Sequence, residues 1–283
     1  MSERDEILVD AHVHLHPCFA TARFFDAALA NFRTVATCPG PASKIAGCLM
    51  FTESHGVNAF GRLHAQTTGV GTDSEGGPTN LDAWQMLATG EEISLLATRM
   101  AGNDMDRILV VAGRQMVTRE KLEVLALGCT VELEDGMGLG QAIDAAVTVG
   151  AVPVIPWGFG KWWGRRGAVL TDLLGSTAEP RFFLGDNSGR AALLPRPPLF
   201  GKAAGRGVLV LPGSDPLPFT AQASRPGRCG LRLPVEIDED RPGESVLAAL
   251  RALDSQPDVF GRYESLLGFV RSQVAMQWRK GAA

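Results

Sequence analysis

Short apolar runs rich in β-branched residues alternate along this chain with stretches whose apolar positions recur at helical spacing. The first pattern predicts buried strands and the second predicts amphipathic helices. Regular alternation of the two is typical of a parallel sheet whose strands are joined by crossover helices. Strands are predicted at residues 7–14, 45–52, 107–113, 129–133, 151–156, 181–185 and 207–211.

Helix signals fill the intervals between these strands. Capping residues open several of them, and glycine follows several last turns, where it supplies a left-handed cap. Segment 95–100 can form either an extra strand that pairs with 107–113 or the end of a helix. Helices are predicted at residues 24–35, 81–87, 119–127, 141–149 and 168–174.

The chain beyond Asp215 is polar and rich in proline and glycine through residues 216–230. A further strand is predicted at 229–235, and helices are predicted near 244–253 and 263–278. No break in composition separates these elements from the rest. We therefore predict one domain over residues 1–283, with C-terminal helices at about 244–279 that either pack on the sheet or form the face of a homodimer.

Composition narrows the function classes. The chain has 283 residues, 45% of them hydrophobic, and a net charge of −4, which argues against a nucleic-acid binder. The five cysteines are odd in number and include no C-x-x-C pair, so neither a disulfide framework nor a zinc finger is expected. A reducing cytoplasm is the simplest fit to this cysteine pattern. The charged start leaves no room for the apolar stretch of a signal peptide, and no apolar run is long enough to predict a membrane span.

The first predicted strand carries a row of histidines. Asp10, His12, His14 and His16 alternate along it, so their side chains are expected to share one face. Imidazoles two positions apart lie about 6 to 7 Å from each other along a strand and can converge on one metal ion. The plainer interpretation is a strand whose polar face is solvated, but the apolar run before the histidines favours a buried strand.

Functional groups in α/β sheets gather at the carboxyl ends of the strands, so the residues that follow each predicted strand are the candidates. In chain order these are His12, His14 and His16; Glu53 and His55; Arg114 and Gln115; Glu132, Glu134 and Asp135; Trp157 and Lys161; Asp186 and Asn187; and Ser214 and Asp215.

Two of these segments carry a resemblance to a known family. The segment Val-Asp-Ala-His-Val-His-Leu at 9–15 resembles the first-strand H-x-H motif of the amidohydrolase superfamily, and Gly-Ser-Asp-Pro at 213–216 resembles its last-strand segment. The related PHP phosphoesterases place similar motifs on a seven-stranded barrel. The resemblance implies a TIM-like (β/α) barrel, distorted or seven-stranded, in which His12 and His14 bind a divalent metal. Asp215 would be a further ligand or the base that takes a proton from metal-bound water.

The chain also departs from that family, because no histidine follows His64. Trp157 and Asp186 stand where the family usually has later histidines, so Glu132 and Asp186 are the expected additional ligands. We expect a divalent cation, zinc, manganese or iron, and carboxylate ligands favour a harder ion such as manganese or magnesium over zinc. A metal site that has decayed is the alternative.

Other residues are candidates for acid–base work or substrate binding. Glu53 and His55 alternate after the second predicted strand and are candidate catalytic groups. His64 is expected on a surface loop, and segment 69–78 is either a lid or a plain loop. Segment 154–167 combines three tryptophans with three cations. The candidate substrate-binding residues are Arg114, Gln115, Trp157, Lys161 and Arg165.

Three functions remain open at this point. The first is a metal-dependent hydrolase that acts on a small anionic amide, lactone or phosphate ester. The second is a barrel without metal that binds a small anionic ligand through Arg114, Lys161, Arg165 and the tryptophans, as a sensor or an assembly partner. The third is a metal-independent lyase or decarboxylase that uses histidine and carboxylate as acid and base.

Overall fold

The computed structural model describes residues 6–36, 45–67, 81–101, 104–176 and 182–281, and the predicted lid at 69–78 lies outside these ranges. The strands are β1 (Glu6–Val13), β2 (Gly47–Phe51), β3 (Glu53–Ser54), β4 (Trp84–Ala88), β5 (Ser94–Ala101), β6 (Asp104–Val111), β7 (Gly113–Val117), β8 (Glu123–Leu127), β9 (Val152–Pro156), β10 (Phe183–Asn187), β11 (Val210–Gly213), β12 (Cys229–Pro234) and β13 (Val259–Gly261). The α-helices are α1 (Thr21–Val35), α2 (Ala59–Thr67), α3 (Leu139–Thr148), α4 (Gly164–Ser176), α5 (Pro198–Ala204), α6 (Pro242–Arg251) and α7 (Leu266–Gly281), and a 3-10 helix spans Thr220–Ser224.

The strands form two mixed sheets. One sheet has seven strands in the order β13-β12-β1-β2-β6-β5-β4, and the other has six in the order β11-β10-β9-β8-β7-β3. The runs β1-β2-β6 and β9-β10-β11 are parallel, whereas β8 is antiparallel to both of its neighbours. Only Thr52 separates β2 from β3 and only Ala112 separates β6 from β7, so two continuous passages of chain join the sheets.

Apolar side chains fill three layers. A central cluster lies between the sheets, and α6 adds residues to it. A first outer cluster packs the seven-stranded sheet on α1 and α2, and a second outer cluster packs the six-stranded sheet on α3, α4 and α5. The central cluster includes Val9, Ala11, Met50, Leu125, Val154 and Leu211. The first outer cluster includes Leu8, Val13, Phe24, Phe51, Phe60 and Leu63. The second outer cluster includes Met116, Val124, Ile155, Trp157, Leu170 and Leu184.

The structure confirms a mixed α/β protein but not the TIM-like barrel. Among the described residues the strand pairing does not close into a ring, because β11 lies beside β1 without forming a ladder with it. The alternative of an extra strand at 95–100 is confirmed, since β5 pairs antiparallel with β6. None of the helices within the described ranges combines the length and the hydrophobicity that a membrane span requires.

Four local predictions are wrong. Segment 119–127 was expected to be helical, but its second half forms β8, where burial of an apolar run against two neighbouring strands overrides helix propensity. Segment 81–87 contains the start of β4, in which buried Trp84 and Met86 alternate with exposed residues at strand spacing. Segment 129–133 is not a strand, and His64 lies on α2 and not on a loop.

Candidate metal centre

A β-bulge in β1 decides which way its histidines face. Between Asp10 and Val13 the strand has one residue more than β2, because Asp10 pairs with Leu49 and Val13 with Phe51. Before the bulge Leu8 lies in the first outer cluster, and after it Val13 lies there. The alternation of faces therefore changes phase, which places His12 and His14 on the side of the central cluster and Asp10 on the opposite side. The expectation that Asp10 shares the histidines' face is wrong for this reason.

Asp10 is fully buried and accepts hydrogen bonds from three chain segments. Its Oδ1 accepts from the backbone N–H of Ser214 at 2.7 Å and of His12 at 3.4 Å, and its Oδ2 accepts from the N–H of Gly227 at 2.8 Å. Burial raises the pKa of Asp10 to about 7, although these N–H donors act in the other direction. Asp10 thus fastens β1 to the segment that carries Asp215.

His12, His14 and Asp215 form a compact cluster of potential ligands. The two Nε2 atoms lie 3.1 Å apart, and Oδ1 of Asp215 lies 3.5 Å from Nε2 of His12 and 3.8 Å from Nε2 of His14. One ligand atom from each residue lies within 4.8 Å of the others, a spacing at which all three can hold one metal ion. The N–H of Asp215 also donates to the carbonyl of His12 at 2.8 Å, so the backbone fixes the carboxylate beside the imidazoles.

The charges in the cluster favour the forms that bind metals. Burial lowers the pKa of His14 to about 3, and His12 adds to the shift, so His14 is neutral near pH 7. Burial acts to raise the pKa of Asp215, but His12, His14 and Lys161 outweigh it and hold that pKa below its usual value. A neutral imidazole and an ionised carboxylate are the states that coordinate divalent metals.

Asn187 supports the carboxylate from the other side. Its Nδ2 donates to Oδ2 of Asp215 at 3.0 Å and to the carbonyl of Trp157 at 2.9 Å. The Oδ1 atom of Asp215 is left to face the histidines. Asn187 follows a predicted strand, but no motif in the sequence assigns it a role. The alternation of β10 places it on the central side, opposite to Leu184 in the second outer cluster.

Asp186, a predicted metal ligand, does not join the cluster. Its Oδ1 accepts from Nε of Arg190 at 3.0 Å, and its Oδ2 accepts from Nη2 of Arg190 at 2.9 Å and from the hydroxyl of Tyr263 at 2.8 Å. These bonds use both carboxylate oxygens. The side chain next to it, Asn187, is the one from β10 that reaches the site.

The predicted residues that follow β2 and β8 also lie apart from the cluster. Buried Glu53 accepts from the N–H of Phe60 at 2.9 Å and from Nη1 of Arg114 at 3.3 Å, on the side of the first outer cluster, and burial raises its pKa. Glu53 and Arg114 line a separate pocket of about 290 Å³. His55 and Glu132 form an exposed pair, with Nδ1 and Oε1 2.9 Å apart.

Some of the predicted substrate-binding residues lie toward the candidate centre, and others lie away from it. The ring of Trp157 packs in the second outer cluster, and Arg165 is exposed on α4. Gln115 pairs with Leu125 and lies on the central side. Lys161 contacts Glu123 and is close enough to the cluster to affect the pKa of both His14 and Asp215. Of these residues, Gln115 and Lys161 are therefore the ones placed toward the candidate centre.

The donor set fits a catalytic metal better than a structural one. Structural zinc sites are usually closed by four protein ligands, whereas catalytic sites have three and leave a position open. Two imidazoles and one carboxylate form the cluster here. Such a set suits zinc, iron or manganese.

Comparisons with known proteins add information on the fold. No model of a protein family matches this chain, and no curated protein matches it either. The chain is similar to the crystal structure of PsfC from Pseudomonas syringae PB-5123, with a TM-score of 0.56 and 13% identity over 96% of this chain and 98% of that one. It is also similar to the lesion-specific endonuclease PfuEndoQ from Pyrococcus furiosus, with a TM-score of 0.48 and 10% identity over 89% of this chain and 58% of that one. The likeness to PsfC shows a shared fold over nearly the whole chain.

Proposed function

We propose that this protein is a metal-dependent hydrolase in which His12, His14 and Asp215 hold one divalent cation. The observation that carries the proposal is the convergence of two imidazole nitrogens and one carboxylate oxygen within 4.8 Å of one another. The partly buried position of Asp215 supports it, because a carboxylate that is shielded from water is stabilised by a nearby cation.

The residues of the chain have separate tasks in this proposal. A divalent cation bound there would bring the pKa of water toward neutrality. Asp215 is placed to accept a proton, since Asn187 holds its Oδ2 and Oδ1 faces the imidazoles. Lys161 helps to keep Asp215 ionised, and neutral His14 keeps a lone pair for the metal.

We also propose that the two sheets enclose the site as a distorted barrel with seven strands, in which β2–β3 and β6–β7 each count as one continuous strand. The passages from β2 to β3 and from β6 to β7 support this, because they carry the chain from one sheet into the other. At the remaining gap the N–H of Ser214 donates to Asp10 and the N–H of Asp215 donates to the carbonyl of His12. The barrel strands in order are β1, β2–β3, β6–β7, β8, β9, β10 and β11.

Hydrolysis of small amides, lactones and phosphate esters, assayed after chelation and after reloading with zinc, manganese or iron, tests the proposed function. We expect turnover that disappears with the metal and returns with it, and that falls about 100-fold or more in Asp215→Asn because this variant loses both the proton acceptor and a charged ligand. Asp172→Asn, on the exposed face of α4, is the matched control and should keep full activity. Turnover that survives chelation would favour metal-independent chemistry, and ligand binding without turnover would favour a sensor or assembly role.

A further inference from the structure

A second group of polar side chains lies on the central side of the six-stranded sheet. Gln115 of β7 pairs directly with Leu125 of β8, which belongs to the central cluster. Directly paired residues share a face, and so do residues two apart on one strand, so Gln115 and Glu123 both lie on the side of His12 and His14. The two positions are diagonal neighbours across the ladder, roughly 7 to 8 Å apart.

Lys161 connects this group with the candidate metal centre. Its Nζ contacts Oε1 of Glu123, and its charge acts on both His14 and Asp215. The aliphatic stem of Lys161 runs so close to Gly158 that a Cβ at that position would lie 2.6 Å from Cδ of the lysine. Glycine at 158 therefore makes room for the lysine to lie along the loop. An ammonium has three N–H donors, so the contact with Glu123 does not use up its capacity.

Gln115 has an acceptor that no described residue satisfies. Its Oε1 is buried, and no hydrogen-bond partner for it exists among the described residues. Buried polar atoms are nearly always paired, and an acceptor that the protein leaves open is suited to an N–H or O–H of a ligand. Arg225, another cation near Asp215, pairs with Glu264 and its side chain is only 7% exposed, whereas that of Lys161 is 35% exposed, so Lys161 is the cation that a ligand can reach.

We propose that Lys161, Glu123 and Gln115 form the substrate-recognition half of the site. The substrate class is a small molecule that carries an anionic group, carboxylate or phosphate, and a neighbouring N–H or O–H. Lys161 binds the anion, Glu123 holds the lysine in place, and Oε1 of Gln115 accepts from the N–H or O–H. This inference rests on the proposed function only in taking the His12, His14 and Asp215 cluster as the reacting half.

The test compares two probes that differ in one charge. N-acetylglycine has a carboxylate next to an amide N–H, and N-acetylglycinamide is its neutral counterpart. Binding of each is measured by ligand-observed NMR titration, in metal-loaded and in chelated protein. We expect the wild type to prefer N-acetylglycine by about tenfold, the value of one charge-assisted hydrogen bond. We expect Lys161→Met to lose that preference, and Lys202→Met, which removes an exposed lysine on α5, to keep it.

A second variant separates recognition from folding. Gln115→Leu should weaken both probes by a similar factor and leave the preference for the charged one intact, because both carry the amide N–H. A wild type that binds the two probes equally, or a Lys161→Met protein that still prefers N-acetylglycine, overturns the proposal. We expect the same preference for N-acetylglycine in the chelated protein, so the test of substrate recognition does not depend on whether the cluster binds a metal.

Discussion

Two residues that are not ligands set the distance between β1 and the end of β11. Gly213 lies against His12, where a Cβ on the glycine would be 2.4 Å from the backbone nitrogen of the histidine. Asp10 then binds the backbone of both segments through its carboxylate. The positions of His12 and Asp215 therefore depend on a missing side chain and on a buried acceptor.

Gly213→Ala should force β11 away from β1. We expect it to lower the free energy of unfolding by about 1–3 kcal/mol, as overpacking of a tight contact does, and to weaken metal binding. Gly201→Ala on α5 is the matched control, since a Cβ there meets nothing within 4 Å. Chemical denaturation and metal titration measure both effects. A Gly213→Ala protein with wild-type metal affinity would show that this contact does not position the cluster.

Asp10→Asn replaces one carboxylate oxygen by an N–H donor, which then faces the N–H of Ser214 or of Gly227. Leaving one of these buried donors unpaired should cost about 1–3 kcal/mol of unfolding free energy. We also expect weaker metal binding, because Ser214 precedes Asp215. Chemical denaturation and metal titration measure these two effects, and Asp172→Asn, at an exposed position, is the control. Unchanged stability and affinity would contradict the role given to Asp10.

At the scale of elements, the alternation of strands explains which candidates lie on the central side of the six-stranded sheet. In β7 this residue is Gln115 and not Arg114, and in β10 it is Asn187, which contacts Asp215, and not Asp186. The sequence predicts that neighbours on a strand face opposite ways, but it does not reveal which set faces inward. That choice depends on which sheet face each strand buries, and in β1 on a bulge that only the register with β2 shows.

The clearest errors concern β4 and β8, whose apolar positions were assigned to helices although each strand forms a hairpin with its neighbour in sequence, β5 and β7 respectively. Most strands and helices of the α/β pattern were predictable because burial and periodicity are local signals. Helix-favouring residues in β8 become a strand because β7 and β9 lie on both sides of it. The cluster itself was predicted in part: His12, His14 and Asp215 come together, whereas Glu132 and Asp186 have other partners.

Asp186 joins β10 to the segment before α7 through Arg190 and Tyr263. Asp186→Asn should therefore lower the free energy of unfolding by about 3–5 kcal/mol, the usual effect of leaving a buried ion without its partner. Its metal content should equal that of the wild type, because the side chain is not part of the cluster. Thermal unfolding and metal analysis at a temperature where the variant is folded test this. A stable variant that has lost its metal would make Asp186 a ligand after all.

On the scale of the whole molecule, the fold brings together two segments that are far apart in the described chain. Some 200 residues separate the histidines from the segment that follows β11, as the bond between His16 and the carbonyl of Pro216 illustrates. β1 lies beside β11, and the central cluster fills the space between the two sheets. Gln115 of β7 and Glu123 of β8 also lie on the central side. The two histidines thus come from the seven-stranded sheet, whereas Asp215 and the proposed substrate contacts come from the six-stranded sheet.

The measurement that tests the central claim most directly is the amount of metal bound per chain. Wild-type protein and His14→Ala are loaded with zinc or manganese, freed of excess ion by gel filtration and analysed by inductively coupled plasma mass spectrometry. His64→Ala, which changes a histidine on α2, serves as the control. We predict about one metal per chain in the wild type and the control, and close to none in His14→Ala. A wild type that retains no metal under any loading condition, or a His14→Ala protein that retains the full amount, would contradict the account.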